Sequence, residues 1–297
     1  MPAYDVPPYN VAPYDPGRPL IFMHIPKTAG IAICDALVQA VRPTRVFFGF
    51  DLAFFGPFDD FASVDPATRG FIHTTPETLP PGEKLVRAHM SLGTLRAAYP
   101  DGQFLTVLRE PVSRILSHFL FWRGFSDAQI REWGGWAAVM RLAQGDLAGL
   151  LESPAAACQI DNVALRLLLW PNPAIADGGF IPPAEDAALL LQAQAALRGF
   201  SFSAAQEDPG FWPALSAWLG RPFAAASRNV TPPLPAERRL DLAAALTPGC
   251  RDLLRQRTRL DRVLWDMLRG GADDGFGERI QQATISRLGT VARPPAP

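Results

Sequence analysis

From Pro19 the chain turns apolar. Leu20-Ile21-Phe22-Met23-His24-Ile25 is a short hydrophobic run that stops at Pro26, and an apolar stretch of helical length, Ile31 to Val41, follows it. A short unbroken run closed by a breaker and followed by a longer one predicts strand, loop and helix. The same succession returns at Lys84 to His89 followed by Leu92 to Ala98, and again at Gln103 to Leu108 followed by Val112 to Trp122. Repeated strand-to-helix units predict a parallel sheet with crossover helices, so the expected fold class is α/β. Arg45 to Phe50 and Phe71 to Thr74 are further strand candidates. The Phe-, Gly- and Pro-rich stretch between Phe48 and Asp65 is too irregular to assign and is a candidate substrate-side loop.

Beyond about Ser126 the pattern changes to alanine- and leucine-rich segments with arginines, broken by Pro and Gly at 171–183 and 230–235. This half is expected to be helix-rich. Helices are expected at Ala155 to Trp170, Ala184 to Arg198, Pro209 to Leu219, Ala236 to Leu246 and Cys250 to Arg269, with a short strand at Phe200 to Ser203. No polar linker separates the halves, so one α/β domain over 20–270 is expected. Residues 1–19 read as an extended tail with recurrent Pro and with Tyr4, Tyr9 and Tyr14 at a spacing of five, a pattern suited to polyproline-like chain. Those tyrosines are candidates for docking on a partner or on the chain's own domain. Residues 271–297 read as a C-terminal segment and tail.

Composition narrows the function. The 297 residues are 48% hydrophobic and 19% charged, which is enough apolar material for a sizeable core. With 28 basic and 29 acidic side chains the formal net charge is −1, so no global field favours nucleic acid or anionic lipid, and anion binding has to be local. Nucleic acid is not an expected partner. Cys34, Cys158 and Cys250 are far apart and form no C-x-x-C pair, which argues against a disulfide framework or zinc site and for a reducing compartment. The N-terminus shows no signal-peptide pattern and no apolar run reaches membrane-spanning length. The expected location is cytoplasmic, in a bacterium with a GC-rich genome. Only Lys27 and Lys84 are lysine, so a lysine that remains is either a place where a compact, mobile ammonium is not replaceable by a planar guanidinium or a chance survivor of the bias.

Lys27 lies in the first chemical constellation, His24-Ile25-Pro26-Lys27-Thr28-Ala29-Gly30, between strand and helix. Such a loop offers main-chain N–H groups and a helix N-terminus to an anion, while Lys27 adds charge and Thr28 a hydroxyl. It is not a Walker A loop, because Pro26 precedes the lysine and Ile21 stands where the earlier Gly is required. The alternative is an ordinary β-α turn. The second constellation is Leu108-Arg109-Glu110-Pro111 running into a helix that carries Arg114, Ser117 and His118. Pro111 suits the first helical position and places Arg109 at a strand's carboxyl end, where open α/β sheets bind ligands. Ser117 lies about 9 Å further along the helix. A guanidinium and a hydroxyl so placed suit one phosphate, the alternative being that Arg109 pairs with Glu110 or Asp101.

Together the two segments resemble the signature segments of sulfotransferases that use 3′-phosphoadenosine 5′-phosphosulfate, most nearly the branch of heparan sulfate 2-O-sulfotransferases and their bacterial relatives. The family loop H-I-P-K-T-G-G-T-S reads HIPKTAGIA here, and R-D-P-x-x-R-x-x-S-x-[YF] reads REPVSRILSHF. Val86 to Gly93 is similar to the family's G-H-x-x-[YF]-G segment, and Asp161 to Leu168 to a helix reading D-N-x-x-T-R-x-L. The likeness runs in order over 20–270 and implies a P-loop-like three-layer fold with a central parallel sheet. It implies a donor site made by Lys27, Thr28, Ala29, Gly30, Ile31 and Ala32 around the 5′-phosphosulfate, with Arg109 and Ser117 on the 3′-phosphate. It also implies Lys27 and His89 as catalytic residues, the first for charge on the leaving oxygen and the second as base. No metal is implied.

The chain departs from the family where Ala29 replaces Gly and where Ile31 and Ala32 replace a Thr-Ser pair. Two hydroxyl donors are lost, each worth about 1.5–3 kcal/mol to a charged group unless main-chain groups compensate. A noncatalytic nucleotide-binding protein of the same fold is therefore an alternative. A nucleotide-dependent kinase is a further one, opposed by the missing Walker glycines and by the lack of a clear magnesium carboxylate at a strand end. The implied acceptor is a hydroxyl, on a glycan or another small molecule, with aromatic segments Phe47 to Phe61 and Phe121 to Trp136 as candidate stacking surface or core. Arg87, Arg114 and Arg166 are candidate anion contacts or structural arginines.

Overall fold

The computed structural model describes residues 13–223, 233–270 and 275–292. Its centre is a five-stranded, all-parallel sheet in the order β2-β3-β1-β4-β5. The strands are β1 (Leu20–Met23), β2 (Phe47–Phe50), β3 (Leu85–His89), β4 (Gln103–Leu108) and β5 (Phe202–Ala205). The helices that matter for the site are α1 (Gly30–Val41), α2 (Leu92–Ala98), α3 (Pro111–Arg123), α4 (Val163–Leu169), α5 (Asp186–Arg198), α6 (Phe211–Trp218), α7 (Pro248–Leu268) and α8 (Phe276–Ala292).

Helices cover both faces, which is why the strands read as unbroken apolar runs rather than alternating ones. Ile21, Met23, Val86, Ala88 and Phe104 face a core shared with α2, α4, α5 and α7. Leu20, Phe22, Leu85, Leu105 and Phe202 face the other core, with Ile33 and Leu37 of α1 and Phe211 and Leu215 of α6. All four residues of β1 are fully buried, each stabilising the fold by about 1.5–3 kcal/mol. A third core gathers the inner side of α3 with Phe54, Phe55, Trp136 and Leu288 of α8.

Several elements differ from the sequence expectation for identifiable reasons. Phe71 to Thr74 is not a strand: Phe50 and Ile72 form a single bridge, after which His73 turns to bond Thr78 and the chain enters a short 3-10 turn. Ala155 to Trp170 is not one helix. Asn162 adopts φ 49°, its N–H bonds the Arg257 carbonyl, and the helix restarts at Val163. Ala236 to Leu246 also breaks, into Ala236–Arg238 and Leu242–Ala245, because Asp241 caps the second piece. The expected strand at Phe200 to Ser203 is shifted to Phe202–Ala205.

The segments at either end of the domain pack on it. Tyr14 meets Trp218 edge to face, with ring centroids 5.6 Å apart. Asp15 and Gln103 exchange two hydrogen bonds, of 2.7 and 2.6 Å, so 13–19 are docked on the domain. Tyr4 and Tyr9 lie outside the described residues. In the C-terminal segment, to which the sequence assigned no element, α8 lies against α3.

Candidate functional site

The carboxyl ends of β1, β3 and β4 stand side by side along one edge of the sheet, the position of the ligand crevice in open α/β folds. The helix after β1 packs on one face of the sheet and the helix after β3 on the other, the arrangement that leaves room for a ligand between strand ends in open α/β folds. The structure brings Lys27, His89 and Arg109 together at this place.

The loop after β1 is built with unusual backbone. Lys27 and Ala29 take φ of 72° and 57°, a left-handed region that costs a non-glycine residue energy and is concentrated at functional loops. Thr28 is fully buried and its hydroxyl donates to the Ile25 carbonyl at 2.9 Å, so its proton holds the loop. Ala29 is the N-cap of α1 and supplies no side-chain hydrogen bond, and no acidic residue stands in the first turn. The leading N–H groups of a twelve-residue helix therefore have no side-chain cap, which suits them to an anion. Ile31 points outward at 52% exposure and Ala32 is buried. Gly30 is required by contact: a Cβ there would stand 1.9–2.6 Å from atoms of the His24 ring.

The His24 and His89 rings lie against each other at a tilt of 32°, with centroids 4.4 Å apart. The His24 carbonyl accepts from His89 Nδ1 at 2.6 Å; a carbonyl only accepts, so Nδ1 carries the proton and Nε2 presents its lone pair. Burial pulls His89 down to about 4, with Arg87 and Lys27 adding to the effect. Phe50 stacks on the His89 ring, Phe48 meets its edge, and Phe54 lies 5.7 Å away. The aromatic segment expected as stacking surface or core thus forms the wall around His89, with Phe54 and Phe55 buried. Asp51 follows β2 and fixes the turn beyond His89 by accepting from the Ser91 N–H and hydroxyl, both at 2.8 Å.

Arg109 reaches back across the crevice, its Nη1 donating to the Lys27 carbonyl at 3.1 Å. Its carboxylate partner is Glu207, 3.8 Å away, rather than Glu110 or Asp101. Glu110 instead caps α3, accepting from the Val112 and Ser113 N–H groups. Ser117 is buried on α3, and among the described residues no hydrogen bond joins it to Arg109. Lys27 sits 3.9 Å from the centroid of the Phe121 ring. Burial, with Arg109 and then Arg287 of α8, lowers Lys27 to about 8.

Sequence reading missed Glu207. It stands two residues beyond β5, a carboxylate near a strand end. Its oxygens already accept from Trp265 Nε1 at 3.0 Å and from the Glu110 N–H. Burial raises it to about 7 against the opposing pull of Arg109. The strand expected to end at Ser203 ends at Ala205, so Glu207 stands two residues beyond the real strand end and four beyond the expected one. Buried groups on α3 also lack hydrogen-bond partners: Nε and Nη1 of Arg114, which the sequence offered as an anion contact or a structural arginine, and Ser113 Oγ and both ring nitrogens of His118, to which it gave no role. Both nitrogens of His24 share that state. Buried polar atoms are normally satisfied, so these hold hydrogen-bonding capacity that no group among the described residues uses.

The fourth sequence segment turns out to be a structural lock. Asp161 holds Arg166 at 2.8 Å and the Ile181 N–H at 2.8 Å, while Asn162 accepts from the first of two successive N–H groups of α7, Leu260, at 2.8 Å. Arg166 also donates to the Ala176 and Gly179 carbonyls, which places it in the scaffold. Arg87 lies over Phe48 at 4.7 Å. No group of three or more metal-ligating side chains occurs among the described residues, and none of their helices is long and apolar enough to cross a membrane. No family model and no curated protein matches the chain.

Proposed function

We propose that the crevice binds 3′-phosphoadenosine 5′-phosphosulfate and that the protein transfers its sulfuryl group to an acceptor hydroxyl, on a glycan or another small molecule, within a P-loop-like fold. One observation carries the reading. Lys27, Arg109 and His89 stand around the loop that leads into α1, whose N-terminus no side chain caps, and His89 spends Nδ1 on the His24 carbonyl so that Nε2 keeps its lone pair. Two cations and open N–H groups suit a phosphosulfate, and a neutral imidazole beside them suits a hydroxyl that must lose its proton.

In the proposed step the acceptor oxygen attacks sulfur and its proton passes to His89 Nε2. The bond between sulfur and the bridging oxygen breaks, leaving adenosine 3′,5′-bisphosphate and a sulfate ester. Lys27 stabilises the charge on the departing oxygen, and sulfuryl transfer of this kind depends on positioning and charge more than on covalent work by the protein. Arg109, held between the Lys27 carbonyl and Glu207, is preset to meet the 3′-phosphate. The unpartnered Ser113 hydroxyl and Arg114 donors on α3 add capacity for the same anion.

Ile31 and Ala32, with no hydroxyl between them, favour a second reading: a protein that binds the nucleotide without turning it over. Thermal unfolding with adenosine 3′,5′-bisphosphate, with ATP as control, tests the site, since a ligand at 100 times its Kd stabilises by about 2.7 kcal/mol. A shift of several degrees with the bisphosphate alone, absent in Arg109→Ala, is the expected result. No shift at millimolar nucleotide overturns the reading. Release of bisphosphate from the phosphosulfate donor then separates enzyme from binder.

A further inference from the structure

A second cationic place is a cavity of about 330 Å³ between the start of α3, α7 and α8, whose lining includes none of Lys27, His89 and Arg109. Arg251, Arg255, Arg259 and Arg262 of α7 line it, facing Glu278 and Gln281 of α8, with Glu110 at its wall. Spaced by four, four and three residues, these arginines share one helix face, where like charges destabilise a helix. The sequence maintains that repulsion over three successive pairs, although it places acids elsewhere on the same helix.

The pairing is incomplete in a patterned way. Arg259 is consumed by Asp186, at 2.6 and 2.8 Å, and by the Ile181 carbonyl. Arg255 is joined only to Asp252, and its side chain is 71% exposed. Arg262 donates through Nε to Asp266 at 2.8 Å and stands 3.6 Å from Glu278, leaving Nη1 uncommitted. Arg251 bonds only through its main chain, to the Thr247 carbonyl, and its side chain has no hydrogen bond or ion pair among the described residues. Three guanidinium groups thus keep free N–H donors over about 16 Å of helix, and two of them, Arg251 and Arg255, sit one turn apart. Leu254 and Ile285 give the same cavity an apolar patch.

We propose that this cavity is a second ligand site, taking a compact polyanion that carries at least two phosphate or sulfate groups about one helical turn apart. Arg251 and Arg255 grip two of those groups and Arg262 Nη1 meets the rest, while Gln281 is committed to the wall, donating to Glu110 Oε1 at 3.0 Å. The guanidinium fork matches such groups in a bidentate way. The proposal does not depend on what the crevice binds, because none of Lys27, His89 and Arg109 lines the cavity.

Calorimetric titration of the full chain with inorganic tripolyphosphate tests it in four proteins: wild type, Arg251→Ala/Arg255→Ala, Lys27→Ala/Arg109→Ala, and Arg131→Ala/Arg141→Ala. The last pair removes two exposed charges elsewhere. The expected result is a site weakened at least tenfold in the first double variant and retained in the other two. Loss of all binding in Lys27→Ala/Arg109→Ala overturns the proposal, since every anion then sits in the crevice. Equal weakening by both arginine pairs overturns it as well, because the binding is then mere net charge. A melting temperature within a few degrees of wild type certifies each variant as folded.

Discussion

The guanidinium of Arg109 and the carbonyl of Lys27 are joined by a 3.1 Å hydrogen bond, across 82 residues of sequence. The bond ties the end of β4 to the loop after β1, so one arginine both shapes the loop and supplies charge to it. Arg109→Ala is expected to abolish the bisphosphate-induced shift. Arg109→Lys is expected to recover only part of it, because an ammonium does not reproduce the fork that spans Lys27 and Glu207. Full recovery by lysine, read as the same thermal shift, would reject that geometry.

His89 is held by the His24 carbonyl through Nδ1, which leaves Nε2 for chemistry. His89→Asn keeps a donor for that carbonyl and removes the base. Turnover of an identified acceptor is expected to fall by about 10²–10⁴ while bisphosphate affinity stays within a few-fold. Steady-state kinetics beside a direct binding measurement separates these outcomes, and unchanged turnover removes His89 from the mechanism.

Gly30 has no room for a methyl group beneath the His24 ring. Gly30→Ala is expected to destabilise the protein by about 1–3 kcal/mol, and His24→Ala in the same chain to relieve most of that cost. Chemical denaturation of the single and double variants gives the coupling. Simple additivity would mean that the two side chains do not meet.

Lys27 is lowered to about 8, chiefly by burial and then by Arg109 and Arg287. As pH rises through 8 the ammonium loses its proton, and a phosphate then loses a charged partner. Bisphosphate affinity is expected to fall about fivefold from pH 8 to pH 9 in wild type, and to stay level in Lys27→Arg. Titrations at the two pH values decide it.

Burial also depresses His24 and His118, and it holds His89 near 4. Below the ordinary histidine value the unfolded chain takes up protons that the folded one refuses, so stability falls with pH between about 6.5 and 4. Each such histidine costs up to about 1.4 kcal/mol per pH unit there. His118→Phe, which fills the place beside Trp122 without orphaned nitrogens, is expected to lose about 1–2 kcal/mol less than wild type between pH 6.5 and 5. Denaturant unfolding at both values measures it.

What the sequence disclosed and what it hid follow from locality. Strand Gln103–Leu108 and helix Leu92–Ala98 have the bounds expected of them, since buried runs and caps such as Ser91 are local signals. Lys27, His89 and Arg109 were legible because each stands where an apolar run stops. Glu207 was not, because its meaning comes from Arg109 and Trp265, which lie far from it in sequence. The break at Asn162 was hidden for the same reason: its N–H is claimed by Arg257 of another helix. Thr28 was legible as a hydroxyl but not as one that spends its proton on Ile25.

The central position of β1 also governs how the chain can come to be folded. Its two neighbours arrive late, with His24 bonded to a residue 65 positions on and Met23 to one 83 positions on. A nascent chain that has released Leu20–Met23 therefore carries four apolar residues with both ladder edges unpaired until β3 and β4 have followed. Such non-local pairing slows folding and leaves sticky surface exposed meanwhile. The loop that holds Lys27 takes its final shape only once Arg109 has been made, so this crevice is completed after more than a third of the protein has left the ribosome.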